Sequence, residues 1–349
     1  MIITNTLMRD WNTCPQMAKL KSQGMRLREP GPDSLARYFG ELFHDAIEAI
    51  LGGCTVKHPF YTEEMFGGNL NGLSYDESYR FLEDLNEAIR LYQIQLRDCI
   101  VDREIIKIMS ERTFRVPIVS TRTPRRYTTK HDFMGKVDAI FIDKNNKIWI
   151  YELKTRAGNK IEDHAEFHQA PQTTGYAYAM TRVFDQPVLN IIYHVVRRTP
   201  PRPPRILKNG NVSVDKRQNT TATLFRAELE RMRLDSADYI EMLEHLEAKE
   251  EENPFFRETV TFRTEDDLRR FENELYQITC AMTHANNWEA CNRFHCHVCP
   301  YNDLCNAGER DRYMIDTAYQ ELDQEVLAAP RSDFSAVKKL TTALQPTAA

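Results

Sequence analysis

The feature that constrains this chain most is a pair of period-two segments hinged on one tight turn. From Phe133 to Ile142, Val137, Ala139 and Phe141 alternate with Lys136, Asp138 and Ile140. Asp143-Lys144-Asn145-Asn146 is a turn signal, and Lys147 to Lys154 reads as the returning strand. On a strand, residues two apart point the same way. Glu152 and Lys154 therefore share a face, and the hairpin sets Asp138 beside Glu152. Whatever fold forms must bury this hairpin while keeping two carboxylates and one ammonium together.

Flanking segments add layers. Ser34 to Leu51 is helical in pattern, with Leu35, Tyr38, Phe39, Leu42, Phe43, Ala46, Ile47 and Ile50 recurring on one side, and Gly52-Gly53 ends it. A second helical stretch runs from about Ser74 to Ile108. Phe114 to Val119 reads as a strand ahead of the hairpin, about 163–183 as a helix, and Val188 to Val196 as a buried, β-branched strand. The order helix, strand, strand, strand, helix, strand implies an α/β fold with a mixed central sheet flanked by helices. Thr199 to Asn219 is a Pro-rich and basic loop with a short hairpin at Lys208-Asn209-Gly210, Thr220 to about Glu251 a charged helix, and Glu265 to Thr283 another.

Composition narrows the classes. At roughly 150 residues per domain, 349 residues suggest two domains or one with insertions. Lys+Arg 46 against Asp+Glu 51 leaves a net charge of −5, so the chain is not a generally basic nucleic-acid coat. No apolar run approaches the roughly 18 to 20 residues that span a bilayer. Met1 to Asp10 lacks the cationic and apolar regions of a signal peptide, so a cytoplasmic protein without a membrane partner is expected.

Two carboxylates beside a lysine suit phosphodiester hydrolysis. Hard oxygen ligands favour Mg²⁺ or Mn²⁺. Such an ion acidifies water and offsets phosphate charge, and a nearby lysine stabilises a developing oxyanion. Isolated D…E-x-K matches are common, and a plain surface ion pair is the alternative. His44, on an otherwise apolar helix, reads by itself as a core residue. Gln172 and Tyr176, spaced i, i+4, share a helix face.

Taken in order, Gly40-x-x-x-His44, Gly135-x-x-Asp138, Glu152-x-Lys154 and Gln172-x-x-x-Tyr176 resemble the PD-(D/E)xK nuclease superfamily in its RecB-like branch, over about residues 34–196. The element that names the family departs from its pattern, standing here as Val137-Asp138. The resemblance implies a restriction-endonuclease-like fold and Mg²⁺ or Mn²⁺ held by His44, Asp138, Glu152 and the backbone carbonyl of Leu153. It makes Lys154 the catalytic lysine, with Gln172 and Tyr176 supporting the site or the DNA strand.

Of the eight cysteines, Cys291, Cys296, Cys299 and Cys305 crowd one short window. In an intracellular chain, clustered thiols read as metal ligands sooner than as disulfides. His295 and His297 keep a Zn²⁺ site open. RecB-like nucleases with iron–sulfur clusters, including AddB-type and CRISPR-associated exonucleases, carry a remote N-terminal cysteine and a C-terminal C-x2-C-x5-C. Cys14 and Cys296-x2-Cys299-x5-Cys305 resemble that arrangement, which implies a [4Fe–4S] cluster. Cys291 is the alternative to Cys296, as in some phage-type relatives. Cys54, Cys99 and Cys280 read as core residues.

Two acid-free basic stretches flank the hairpin, one with Arg122, Arg125 and Arg126, the other with Arg197 and Arg198. They are candidate phosphate-binding loops or simply solvated ones, and Tyr127 and Phe133 either stack bases or belong to the core. The expected organisation is an N-terminal segment (1–33) with Cys14, a nuclease core (34–196) with a helical insertion (about 58–112), a basic loop and helices (197–285), a cysteine cluster (286–313) and a tail (314–349). The expected activity is a metal-dependent DNA exonuclease acting on single strands or ends, with replication or recombination proteins as partners. The alternative is a nucleic-acid-binding subunit of such a complex that keeps the fold without cleaving.

Overall fold

The computed structural model describes residues 1–23, 25–27, 34–54, 59–66, 70, 73–122, 127–156, 170–252, 254–285, 294–306 and 319–321. In chain order the elements are β1 (Ile2–Ile3), α1 (Asn5–Thr13), α2 (Pro15–Ser22), β2 (Met25–Leu27), α3 (Ser34–Leu51), α4 (Tyr75–Asp102), β3 (Ile105–Val119), β4 (Thr128–Asp143) and β5 (Ile148–Arg156). There follow α5 (Pro171–Phe184), β6 (Asn190–Arg197), α6 (Ala222–Met232), α7 (Ile240–Glu252), β7 (Phe256–Phe262), α8 (Glu265–His284), α9 (Asn302–Asn306) and β8 (Tyr319–Glu321). The result is a mixed α/β fold of the restriction-endonuclease-like kind, with a six-stranded sheet flanked by helices.

The sheet runs β1-β4-β5-β6-β7, with β3 on the other edge of β4. The β3–β4 and β4–β5 pairs are antiparallel, β5–β6 is parallel and β6–β7 antiparallel. Alternation divides the sheet between two cores. Ile140, Ile142, Ile148, Ile150, Ile191 and Tyr193 pack with Ala177, Met180, Phe271 and Leu275 of α5 and α8. Ala139, Phe141, Trp149, Tyr151, Leu153 and Ile192 pack on the opposite side with Phe43 and Ile47 of α3 and Leu85, Ile89 and Tyr92 of α4. At Gly40 a Cβ would stand 3.1 Å from Thr155 Oγ1, so α3 approaches β5 closely.

One local feature prepares the site. The edge of β4 facing away from β3 pairs with β5 over Ala139 to Ile142 and with β1 over Asp132 and Phe133. Asp138 sits where β4 and β5 part, one residue beyond the last paired position, Ala139.

Several expectations are corrected. The helical stretch expected to Ile108 ends at Asp102, and β3 begins at Ile105 rather than Phe114. Glu104 turns the chain with φ 49°, and Ile105 onward pairs with β4, so a long-range ladder overrides the local helical pattern. The last part of the stretch from about 58 to 112 is therefore strand, and its helix α4 packs on the sheet. The single helix expected from Thr220 to Glu251 is two. Arg233 takes φ 57°, and the Asp235 carboxylate accepts from the Ala237 N–H to start the next turn. α6 and α7 fold back on a small core of Val212, Phe225, Leu229, Met242 and Leu246. β1 and β7 were not foreseen. Cys54, expected in the core, is exposed. The helix expected over 163–183 is described from Pro171 onward. Among the described residues, no helix is long and apolar enough to cross a membrane.

The N-terminal helices and the segment around Tyr301 meet in a fourth core. Met17, Leu20 and Met25 pack with Tyr301 and Leu304, and Cys14 and Cys299 lie against them. The Tyr301 hydroxyl donates to the Met25 carbonyl at 2.8 Å.

Candidate active site

Asp138, Glu152, Lys154 and His44 come from three elements. β5 carries Glu152 and Lys154 on the α5 side, in step with Ile148 and Ile150. Asp138 lies at the end of its ladder with β5, and its Oδ2 accepts the Leu153 N–H at 2.8 Å. That bond fixes the carboxylate against the strand carrying Glu152. α3 brings His44 to the same point, with Nδ1 3.7 Å from Asp138 Oδ1.

Glu152 is 1% exposed. One oxygen pairs with the Lys154 ammonium, while Oε2 is buried and has no hydrogen-bond partner. A buried carboxylate oxygen without a donor is costly. Burial, and then the charge of Asp138, push the Glu152 pKa up to about 7 against the pull of Lys154. For Lys154, burial disfavours the charged form, but Glu152 and Asp138 outweigh it and hold its pKa above the usual lysine value. Burial pushes His44 down, and Asp138 opposes this in part.

α5 supplies the supports. Lys154 Nζ also approaches Gln172 Oε1 at 3.5 Å, and Gln172 Nε2 donates to the Tyr176 hydroxyl at 2.8 Å. Tyr176 is buried edge-to-face on Phe114, with ring centroids 5.8 Å apart. Gly135 makes room for this pair: a Cβ there would fall 2.6 Å from Phe114 Cζ and 3.2 Å from Tyr176 Cε1.

The donor chemistry fits a divalent cation. A histidine held neutral by burial stands beside the Asp138 carboxylate, and the neighbouring strand carries the orphaned Glu152 oxygen. One donor escaped the sequence reading. Glu111 of β3 offers an oxygen that lies with His44 and Asp138 in a group whose ligand atoms are all within 4.8 Å of one another. The strand was expected to begin at Phe114, which left Glu111 outside it. Extending the hairpin pairing backwards along β3 would have found it.

A second polar cluster lies in the other core. Cys99, His194 and Glu258 also come within 4.8 Å, between α4, β6 and β7. Here the donors already have partners. His194 Nε2 bonds Glu258 Oε2 at 3.0 Å, the Tyr92 hydroxyl bonds His194 Nδ1 and Tyr151, and Arg103 pairs with Glu258. Arg103 already supplies the positive charge, so this is an internal network.

The basic residues divide. Arg122 is exposed and Arg198 half-buried, while Arg125 and Arg126 lie outside the described residues. Arg197 corrects its expected role at the surface. β6 continues through it, it is 6% exposed, and its guanidinium donates to Asn219 Oδ1 at 2.7 Å. Of the two aromatics, Phe133 is buried against Phe114 and Phe271, whereas Tyr127 is 55% exposed.

The thiols also converge. Cys14 joins α1 to α2, Cys296 and Cys299 sit on one turn with an N–H to carbonyl bond of 3.2 Å, and Cys305 lies in α9. Burial, and the proximity of Cys14 and Cys296, push the Cys299 thiol up. Cys305 is raised by burial and by Cys299, Cys14 and Cys296. Cys291 lies outside the described residues.

No curated protein matches the chain. Among solved structures, the crystal structure of SSO0001 is similar over 88% of this chain and 86% of that one, at 11% identity and a TM-score of 0.31, too low to argue from. The family profile of the PD-(D/E)XK nuclease superfamily matches residues 6–306, so the stretch from the N-terminal helices to the last cysteine forms one family unit, and the chain belongs to that superfamily.

Proposed function

We propose that this chain is a metal-dependent DNA exonuclease of the RecB-like type, acting on single strands or DNA ends in replication, recombination or repair. Membership of the superfamily implies a nucleic-acid substrate and phosphodiester hydrolysis. The observation that supports metal-dependent hydrolysis is His44 beside Asp138, with Glu152 and Lys154 paired on the next strand and the buried Glu152 Oε2 lacking a donor.

His44, Asp138, Glu152 and the Leu153 carbonyl are the proposed holders of Mg²⁺ or Mn²⁺. When bound, the ion supplies Lewis-acid stabilisation of the phosphate and lowers the pKa of a water ligand. Lys154 stays charged, and Gln172 steadies its ammonium so that it can donate to a phosphate oxygen or orient water. Tyr176 holds Gln172 from behind. Arg122 and Arg198 are proposed phosphate contacts. The alternative is a binding subunit without cleavage; retention in the sequence of His44, Asp138, Glu152, Lys154, Gln172 and Tyr176 argues against it.

Cys14, Cys296, Cys299 and Cys305 are proposed to hold a [4Fe–4S] cluster tying the two ends of the nuclease unit. Zn²⁺ is the competing occupant. Tetrahedral zinc with Zn–S of about 2.3 Å brings sulfurs within about 4 Å of one another. Structural zinc usually pairs two Cys-x-x-Cys knuckles, and Cys296-x-x-Cys299 is a single one, which favours the cluster.

Incubation of end-labelled single-stranded DNA with Mg²⁺ or Mn²⁺ tests the activity. The wild type should degrade it, while Asp138→Ala and Lys154→Ala should be slower by about 10³-fold or more. Equal degradation by all three refutes the site. Anaerobically purified protein should be coloured and hold iron, and Cys14→Ser should lose both. Zinc without iron refutes the cluster.

A further inference from the structure

Glu111 stands outside the family's ligand pattern, yet its placement is not that of an ordinary strand residue. The β3–β4 register pairs Ser110 with Ala139 and Arg112 with Val137, so Glu111 falls opposite Asp138. There its backbone leaves the extended region for φ 49°. A residue with a Cβ adopts that conformation at a free-energy cost, and such outliers persist where the surroundings enforce them.

The bend aims the carboxylate at the site. Its oxygen joins His44 and Asp138 within the 4.8 Å group, and its side chain is only 12% exposed. Two carboxylates this close need a counter-charge. Lys136, two residues before Asp138, supplies one by pairing with Glu111, and its own side chain is 58% exposed. A solvated cross-strand ion pair contributes little, and it gives no reason for a left-handed bend on a strand. A ligand role does.

We propose that Glu111 is a further ligand of the divalent-cation site, occupied by Lys136 in the cation-free protein and released to the cation when one binds. Lys136 can leave because most of its stem already lies in solvent. A divalent ion replaces its single charge with two and draws on the donor set of His44, Asp138 and Glu111. The inference rests on the active-site reading above.

Calorimetric titration of the metal-free protein with Mn²⁺ tests it without reference to cleavage. Glu111→Gln keeps the size and removes the charge, and its Mn²⁺ Kd should rise about tenfold. Glu111→Asn, a residue that tolerates the left-handed region, should show the same loss and guards against a folding artefact. Lys136→Met removes the competing ammonium, so its Kd should fall severalfold. Asp138→Asn serves as the reference and should abolish binding. If Asp138→Asn binds normally, the active-site reading itself fails. If it loses binding while the Glu111 variants keep wild-type affinity, only the Glu111 proposal is overturned. Weaker binding by Lys136→Met also overturns it, because the lysine would then support the site rather than compete for it.

Discussion

Replacing Gly135 with alanine tests whether the packing behind the site positions its lysine. The new Cβ would meet Phe114 Cζ at 2.6 Å, Phe114 Cε1 at 2.9 Å and Tyr176 Cε1 at 3.2 Å. Non-bonded carbons settle at about 3.5–4.0 Å, so the Phe114 ring must retreat by about 1 Å. It has little room: Phe114 is fully buried, with Phe133 at 5.4 Å and Tyr176 at 5.8 Å between centroids. Overpacking of this kind costs about 1–3 kcal/mol, and the rigid aromatic neighbours place Gly135→Ala toward the upper end. Urea unfolding of the purified protein measures the loss. Phe114→Leu opens space at the clash, so the double variant should be more stable than the sum of the single costs by at least about 1 kcal/mol. Nuclease activity should fall with Gly135→Ala, because Tyr176 carries Gln172 and Gln172 reaches Lys154. A Gly135→Ala protein within about 0.5 kcal/mol of wild type, or strict additivity with Phe114→Leu, would refute the argument.

Two further outcomes follow from charge. With its pKa pushed up to about 7, Glu152 holds a proton below that pH and must release it to accept a cation. Affinity for Ca²⁺, read by calorimetry, should therefore drop about tenfold per pH unit below about 7 and level off above it; a flat profile from pH 5 to 8 contradicts this. Glu258 is opposed by burial but held down to about 2 by its bonds to His194 and Arg103. A depressed carboxylate stabilises the fold above its unfolded pKa, so this contribution is lost as pH falls from about 4.5 to about 2. Glu258→Gln should flatten that part of the acid-unfolding curve, and an unchanged curve would exclude the residue as its source.

Much of the candidate site's arrangement was legible because it is local. A hairpin with period-two alternation fixes that Glu152 and Lys154 share a face and that Asp138 lies nearby, and an i, i+4 spacing does the same for Gln172 and Tyr176. These relations depend on backbone geometry alone. The layered α/β class followed from the order of periodicities, since each amphipathic element must find an apolar face to cover.

What the sequence left undecided was everything set by contacts between distant segments. Ile105 to Ile108 carry a helix-compatible pattern and become strand only because β4 offers a ladder. That pairing brings Glu111 opposite Asp138. Arg197 looked like a surface cation until β6 extended through it and Asn219 claimed its guanidinium. The splitting of α6 from α7 depends on a small core that no local window contains. The resemblance to iron–sulfur RecB-like nucleases implied that Cys14 belongs with Cys299 and Cys305, but their approach is a matter of tertiary packing by Met17, Leu20, Tyr301 and Leu304. Sequence period decides which way a side chain faces along its own element; which elements then stand next to each other depends on the total apolar surface that can be buried at once, and only the folded chain makes that choice.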